Sequence, residues 1–186
     1  MIDIFSAFGL SSAAGLNAYL PLLIVGLMAR FTDLITLQHP WDILENPWVL
    51  GLLTALLIVE MVADKIPAVD TFNDSIQTLI RPAAGAILFA SSNNVISDMS
   101  PVLALAIGLF AAGGTHAVKA TARPIVTATT AGVGNPVVSV VEDVASATVT
   151  FIAIILPTIA AIFVLVAGFF VGRWVWRRRA RHAIAT

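Results

Sequence analysis

Long apolar runs, cut by prolines, paired polar residues and isolated charges, make up most of the chain. A membrane helix needs about 20 mostly apolar residues, and six stretches read as such spans. The first runs from Ile4 to Met28, "IFSAFGLSSAAGLNAYLPLLIVGLM". The second runs from Pro47 to about Ala63, with Pro67 to end it. The third follows Arg81-Pro82, is short, and ends in "SSNNVISD". The fourth begins near Pro101 and ends near His116; the fifth starts after Asn135-Pro136; the sixth ends at Gly172. Residues 144–172 are one apolar run broken only at Pro157, which suits either a tight hairpin or one kinked helix. Residues 119–136, "KATARPIVTATTAGVGNP", are too polar for a plain span and too apolar for an ordinary loop. A re-entrant segment lining a cavity would explain them, as would a long cytoplasmic connection with a snorkelling Lys119.

Composition supports the bilayer. The chain has 186 residues, 59% hydrophobic and 11% charged, with a mean hydropathy of +0.95. Soluble domains carry about 25% charged residues, and a soluble fold of this composition would expose large apolar patches. Cysteine is absent, which excludes disulfides, thiolate metal sites and cysteine nucleophiles. The first residues, "MIDIFSAFGL", lack a basic region and carry Asp3, so no cleavable signal peptide is expected. With six spans and both termini cytoplasmic, nine of the ten basic residues fall on the inner side. Those nine include Lys65, Arg81, Lys119, Arg123 and the arginines of the tail "RWVWRRRARHAIAT". Trp41, Trp48, Trp174 and Trp176 then read as interfacial anchors, and the arginine tail as a stop signal or a contact for lipid headgroups.

Three segments echo one another in the same order. "GLSSAAGLNA" (9–18) aligns with "GLFAAGGTHA" (108–117), which sets Asn17 opposite His116. "NPW…VEMVAD" (46–64) echoes "NPVVSVVEDVAS" (135–146), which sets Glu60 opposite Glu142. "RPAAGA" (81–86) loosely echoes "LPTIAA" (156–161). Three spans per half would invert one half against the other, an architecture that recurs in transporters with the site at the repeat interface. The expected fold is therefore an all-α polytopic membrane protein of about six helices. Residues 1–97 form one repeat, and residues 98–186 the second with its basic tail.

Charges inside such helices cost about 2.5–3.5 kcal/mol each on insertion scales and usually face a bundle interior or a watery cavity. Glu60 and Asp64 lie one turn apart on the same helix face. Glu142 and Asp143 lie within the fifth span, with Ser139 and Ser146 flanking Glu142. Facing carboxylates with Asn17 and hydroxyls nearby make a hard-oxygen site for a divalent cation, Glu60 and Glu142 as its ligands, or for a proton exchanged against one. The bland alternative pairs the acids with Arg81 or Lys119 to hold the fold together. A rival site groups Arg81, His116, Lys119 and Arg123 around two Arg-Pro steps, suited to a phosphate or carboxylate. Taken alone, His116 reads first as a hydrogen-bonded packing residue. Asp70 and Asp74 are expected in a solvated loop or on a short surface helix. "GFFVG" (168–172) can pack helices within a protomer or across a dimer. No Gly-x-Ser-x-Gly elbow, His-Glu-x-x-His helix or Walker-type loop occurs, so no enzyme is expected.

"GLNAYLPLL" (15–23), "EMVADKIPAVDTFND" (60–74), "RPAAGA" (81–86) and "GNPVVSVVEDV" (134–144) together resemble a bacterial membrane family catalogued as domain of unknown function 4126. The resemblance covers nearly the whole chain and implies an integral membrane protein, with no activity attached. "EMVADK" and "EDVAS" also resemble, more loosely, the paired acidic motifs of inverted-repeat cation exchangers. Here Ala63 replaces their glycine and Ser146 their second aspartate. The sequence-based expectation is a small secondary transporter or channel for a cation in the inner membrane, homodimeric and without cofactor or nucleic-acid partner. Its partners are membrane lipids and a small ion or solute. The alternatives are a transporter or flippase for an anionic solute or lipid phosphate using Arg81, Lys119 and Arg123, and a non-transporting scaffold.

Overall fold

The structure is a computed structural model, and it describes residues 4–64, 66–92 and 99–156. Six α-helices account for most of them: α1 (Ile4–Leu16), α2 (Tyr19–Phe31), α3 (Pro47–Ala63), α4 (Pro67–Ser91), α5 (Pro101–Thr130) and α6 (Asn135–Leu156). A short 3₁₀ helix, Trp41–Glu45, precedes α3. Among the described residues there is no strand. Helices α5 and α6 are long and apolar enough to cross a membrane; α1, α2 and α3 are shorter apolar helices.

The helix starts follow from local chemistry. The Asn46 side chain accepts the Trp48 N–H at 2.9 Å and Pro47 opens α3. Ser100 accepts the Leu103 N–H at 3.2 Å and Pro101 opens α5. A side-chain acceptor followed by proline satisfies one orphan donor and removes another. The turn between α5 and α6 puts Ala131 at φ 51° and Gly132 at φ 84°, a left-handed pair in which glycine carries no Cβ penalty.

The first expected span is two helices. The chain breaks after Leu16, and the Asn17 side-chain oxygen accepts the N–H groups of Tyr19 and Leu20 at 3.1 and 3.0 Å. Side-chain pairings give the directions. Phe8 meets Phe89 edge to face at 5.1 Å, and Ser11 donates to the Gly85 carbonyl at 2.9 Å, so α1 and α4 are antiparallel. Helices α4 and α5 are antiparallel too: Gly108 lies against Gly85 and Phe89, while Asp74 faces Arg123. Gly26 of α2 lies against Leu44 and Leu50, at the start of α3. The segment Gln38–Trp41 borders Ala90, Ser91 and Pro101. Helix α2 therefore returns to the end from which α1 set out. At 1.5 Å per residue each 13-residue arm is about 20 Å long, against about 45 Å for the 30 residues of α5. The tip of this hairpin stops beside Thr115 and His116, midway along α5.

This hairpin corrects several expectations. Helix α1 starts at the same end as the 32–46 connection, where the two had been expected on opposite sides. Helices α1 and α5, which carry the first echo, run parallel, whereas α3 and α6, which carry the second, run antiparallel. Among the described residues no single inversion relates both pairs. Segment 119–136 is not re-entrant, because α5 continues through it to Thr130 with Pro124 inside. Helix α4 begins at Pro67 with Arg81-Pro82 in its interior. Arg81, Lys119 and Arg123 are buried on helices and not in loops, so they drop out of any count of loop charges. Lys65, Asp98, Trp174, Trp176, "GFFVG", the arginine tail and the helix division around Pro157 lie outside the described residues.

Helix α1 sits at the centre, packed on α4, α5 and α6. Ala7, Leu10, Ala13 and Ala14 are fully buried. Ser146 of α6 donates to the Ala13 carbonyl at 3.0 Å. The small residues let the backbones approach closely, as in helix packing within membranes.

Candidate functional site

Below the hairpin tip, α3, α4, α5 and α6 bring together the charges that the sequence scatters over 83 positions, from Glu60 to Glu142. Arg81, fully buried, donates from Nη2 to Glu60 Oε1 at 3.0 Å. Its Nη1 lies 3.1 Å from His116 Nδ1 and 3.6 Å from Asp74 Oδ1. A guanidinium can only donate, so His116 Nδ1 accepts and Nε2 carries the hydrogen. Nε2 then donates to Thr78 Oγ1 at 3.1 Å, and Thr78 donates to the Asp74 carbonyl at 2.8 Å.

A second knot lies one turn further along α5. Lys119 Nζ meets Glu142 Oε2 at 2.8 Å and the Leu16 carbonyl at 3.1 Å. Arg123 Nη2 meets the same Glu142 oxygen at 2.9 Å and Asp64 Oδ2 at 3.4 Å, while Nη1 lies 3.6 Å from Asp74 Oδ2. Asp64 also accepts from Asn73 at 2.9 Å and from Ser139 at 3.1 Å. Asn17 closes the edge of the network, donating to Asp143 Oδ1 at 2.8 Å. Asn17 thus fixes the hairpin turn and its contact with α6 at once.

All nine residues singled out as a site therefore converge: Asn17, Glu60, Asp64, Arg81, His116, Lys119, Arg123, Glu142 and Asp143. The two rival constellations, carboxylate and basic, are one interlocked network. Glu60 and Glu142, expected as facing metal ligands, are each engaged by a built-in cation. Glu60 bonds to Arg81, and Glu142 bonds to Lys119 and Arg123, so these carboxylates are turned to built-in cations. Among the described residues no group of three or more His, Asp or Glu could hold a metal ion.

Asp74, expected in a solvated loop or on a short surface helix, sits on the 25-residue α4 and faces both Arg81 and Arg123. Gln77, Thr78 and Asn73 were not singled out. Positions 74, 78 and 81 follow the i, i+4, i+7 spacing of one helix face, and that polar stripe was the available signal.

A pocket of about 520 Å³ lies between α4 and α5, lined in part by Asp74, Ser75, Thr78, Ala120, Arg123 and Thr127. Both Arg-Pro steps bear on it. Proline has no N–H, so Pro82 and Pro124 leave the carbonyls of Thr78 and Ala120 without their i+4 helical donors. Both residues line the pocket. The pocket lining thus combines one carboxylate, three hydroxyl residues and Arg123.

Residues 4–178 match the family described as Domain of unknown function (DUF4126), and the chain belongs to that family. No curated protein and no solved structure matches the chain.

Proposed function

We propose that this protein is a multi-pass membrane transporter or channel for a small cation. In this reading α5 and α6 cross the bilayer and the α1–α2 hairpin dips to its middle. The observation that carries the reading is the buried network at the hairpin tip. Four carboxylates (Glu60, Asp64, Asp74 and Glu142) meet three fixed cations (Arg81, Lys119 and Arg123) between the middle of α5 and its last turns, with Asp143 held beside them by Asn17. Buried ion pairs are poor stabilisers compared with apolar packing, and charges at membrane depth mark ion and proton pathways. The surplus of acid favours a positively charged solute. The oxygen-rich pocket between α4 and α5 supplies the approach from one end, and Arg123 links it to the network.

The test is flux in proteoliposomes against a panel of monovalent and divalent cations. Glu60→Gln/Glu142→Gln keeps both side-chain volumes and is expected to abolish uptake while the protein stays folded. Unchanged uptake by the double variant would overturn the reading. Loss confined to Arg81→Gln and Arg123→Gln, with an anionic solute as the species moved, would replace the cation by an anion. No flux in any arm would leave a scaffold.

A further inference from the structure

Three buried acceptors in the network lack a hydrogen-bond donor: Glu60 Oε2, Gln77 Oε1 and Asp74 Oδ1, the last 3.6 Å from Arg81 Nη1. Glu60 is 1% exposed and Gln77 2% exposed. Leaving one such atom unsatisfied costs about 1–3 kcal/mol, and native structures leave few. Gln77 precedes Arg81 by one turn on the same face of α4. Tyr19, at the start of α2, neighbours Gln77, Glu60 and Arg81. Glu60 and Gln77 thus both neighbour Arg81, Glu60 through its ion pair and Gln77 from the preceding turn of α4.

We propose that Glu60 is a proton-binding site in which Oε2 carries an exchangeable proton and donates it to the Gln77 side-chain oxygen. One proton satisfies two of the three acceptors, and Asp74 Oδ1 keeps its ion pair with Arg81. Oε1 keeps its bond from Arg81, so binding adds no atom and breaks no covalent bond. A metal cation suits the place less well. Sodium needs several more oxygens than Glu60, Gln77 and Tyr19 offer, and the Arg81 charge stands beside the carboxylate. The other charged or titratable groups around Glu60 are Tyr19 from α2, Asp64 from α3 and Asp74 from α4. From α5 come His116 and Lys119, the latter paired with Glu142 of α6. When the proton leaves, Glu60 and Arg81 become a full ion pair. When it binds, Glu60 no longer balances the Arg81 charge, and Asp74, 3.6 Å from Arg81, is the carboxylate left to do so. This deepens the transport reading by naming the proton as the exchanged ion, and rests on that reading only for its use in transport.

Infrared difference spectroscopy of the whole protein in lipid tests it without any transport assay. A protonated carboxylic acid gives a carbonyl stretch apart from the carboxylate and amide bands. On titration the wild type is expected to show such a band appearing, shifted in heavy water, and Glu60→Gln to lose it. Glu142→Gln should keep it. Gln77→Leu retains the carboxyl but removes its acceptor, so the band should persist and move to higher frequency. That variant keeps the proposal testable if Glu60→Gln does not fold. A spectrum in which neither variant alters any carboxylic-acid band overturns the proposal, as does a band displaced by sodium at constant pH. Failure of cation flux with the Glu60 band intact would overturn the transport reading and leave the proton site standing.

Discussion

At the scale of single residues, the close approach of α4 to α5 depends on two glycines. A Cβ on Gly108 would meet the Gly85 carbonyl and would stand 2.5 Å from the Phe89 Cβ and 2.9 Å from the Ala86 Cα. These are backbone and Cβ atoms, which cannot swing aside as a side-chain tip can. Gly108→Ala must push the helices apart, at roughly the 1–3 kcal/mol that overpacking costs. Gly51 and Gly114 have no atom within 4 Å of such a Cβ, so alanine there should be tolerated. Thermal unfolding in detergent should show a clear drop in midpoint for Gly108→Ala and little change for Gly114→Ala. The same closeness bears on the proposed uptake. A shift between α4 and α5 would also move Thr78 from His116 and Asp74 from Arg123, so the glycine variant should lose activity beyond its loss of folded protein.

At the scale of elements, the sequence made the helices legible and their continuity less so. Helix starts at Asn46-Pro47 and Asn135-Pro136 announce themselves through cap and proline, and α3 and α6 start there as expected. The break at Asn17 does not. Apart from Asn17, "GLNAYLPLL" is mostly apolar, and membrane-length hydropathy says nothing about a chain that turns back. The turn is made by one amide oxygen accepting two backbone N–H groups. The Arg-Pro steps misled in the opposite direction. They read as helix starts, yet α4 and α5 run through them, since a helix can lose one N–H bond and stay packed. The site residues were legible because isolated charges in apolar helices are conspicuous. Their pairing was not, because partners such as Asp64 and Ser139 lie 75 positions apart.

The hairpin turn can be tested at its single fastening. Asn17→Ala removes both backbone acceptor bonds and the contact with Asp143, and loss of a cap alone costs about 0.5–2 kcal/mol. Asn17→Asp keeps an acceptor for the Tyr19 and Leu20 N–H groups but sets a carboxylate against Asp143. If the cap dominates, aspartate should restore most of the stability that alanine loses. If the Asp143 contact dominates, aspartate should be no better than alanine near neutral pH and should recover as the pH falls and the pair takes up a proton. Limited proteolysis with thermal unfolding at two pH values separates these outcomes, and equal stability of all three proteins would sink the assignment of Asn17 as the fastening.

At the scale of the whole molecule, the hairpin changes what the charge pattern says about sidedness. Nine basic residues had been placed on one side by counting loops, but Arg81, Lys119 and Arg123 belong to the buried network and answer to the acids around them. What remains is geometry. The start of α1, the 32–46 connection and the start of α5 share one end; the α5–α6 turn at Ala131 and Gly132 lies at the other. With α5 and α6 crossing the bilayer, residues 5 and 42 must lie on one side and residue 133 on the other. The chain has no cysteine, so single replacements can be labelled without background. Phe5→Cys, Asp42→Cys and Val133→Cys replace exposed residues. In sealed, oriented vesicles a membrane-impermeant maleimide should label residues 5 and 42 together, and residue 133 only from the opposite face. A first helix that crossed the membrane unbroken would put residue 5 with residue 133 instead. That result would remove the hairpin tip from mid-depth, and with it the physical reason for reading the charge network as a pathway.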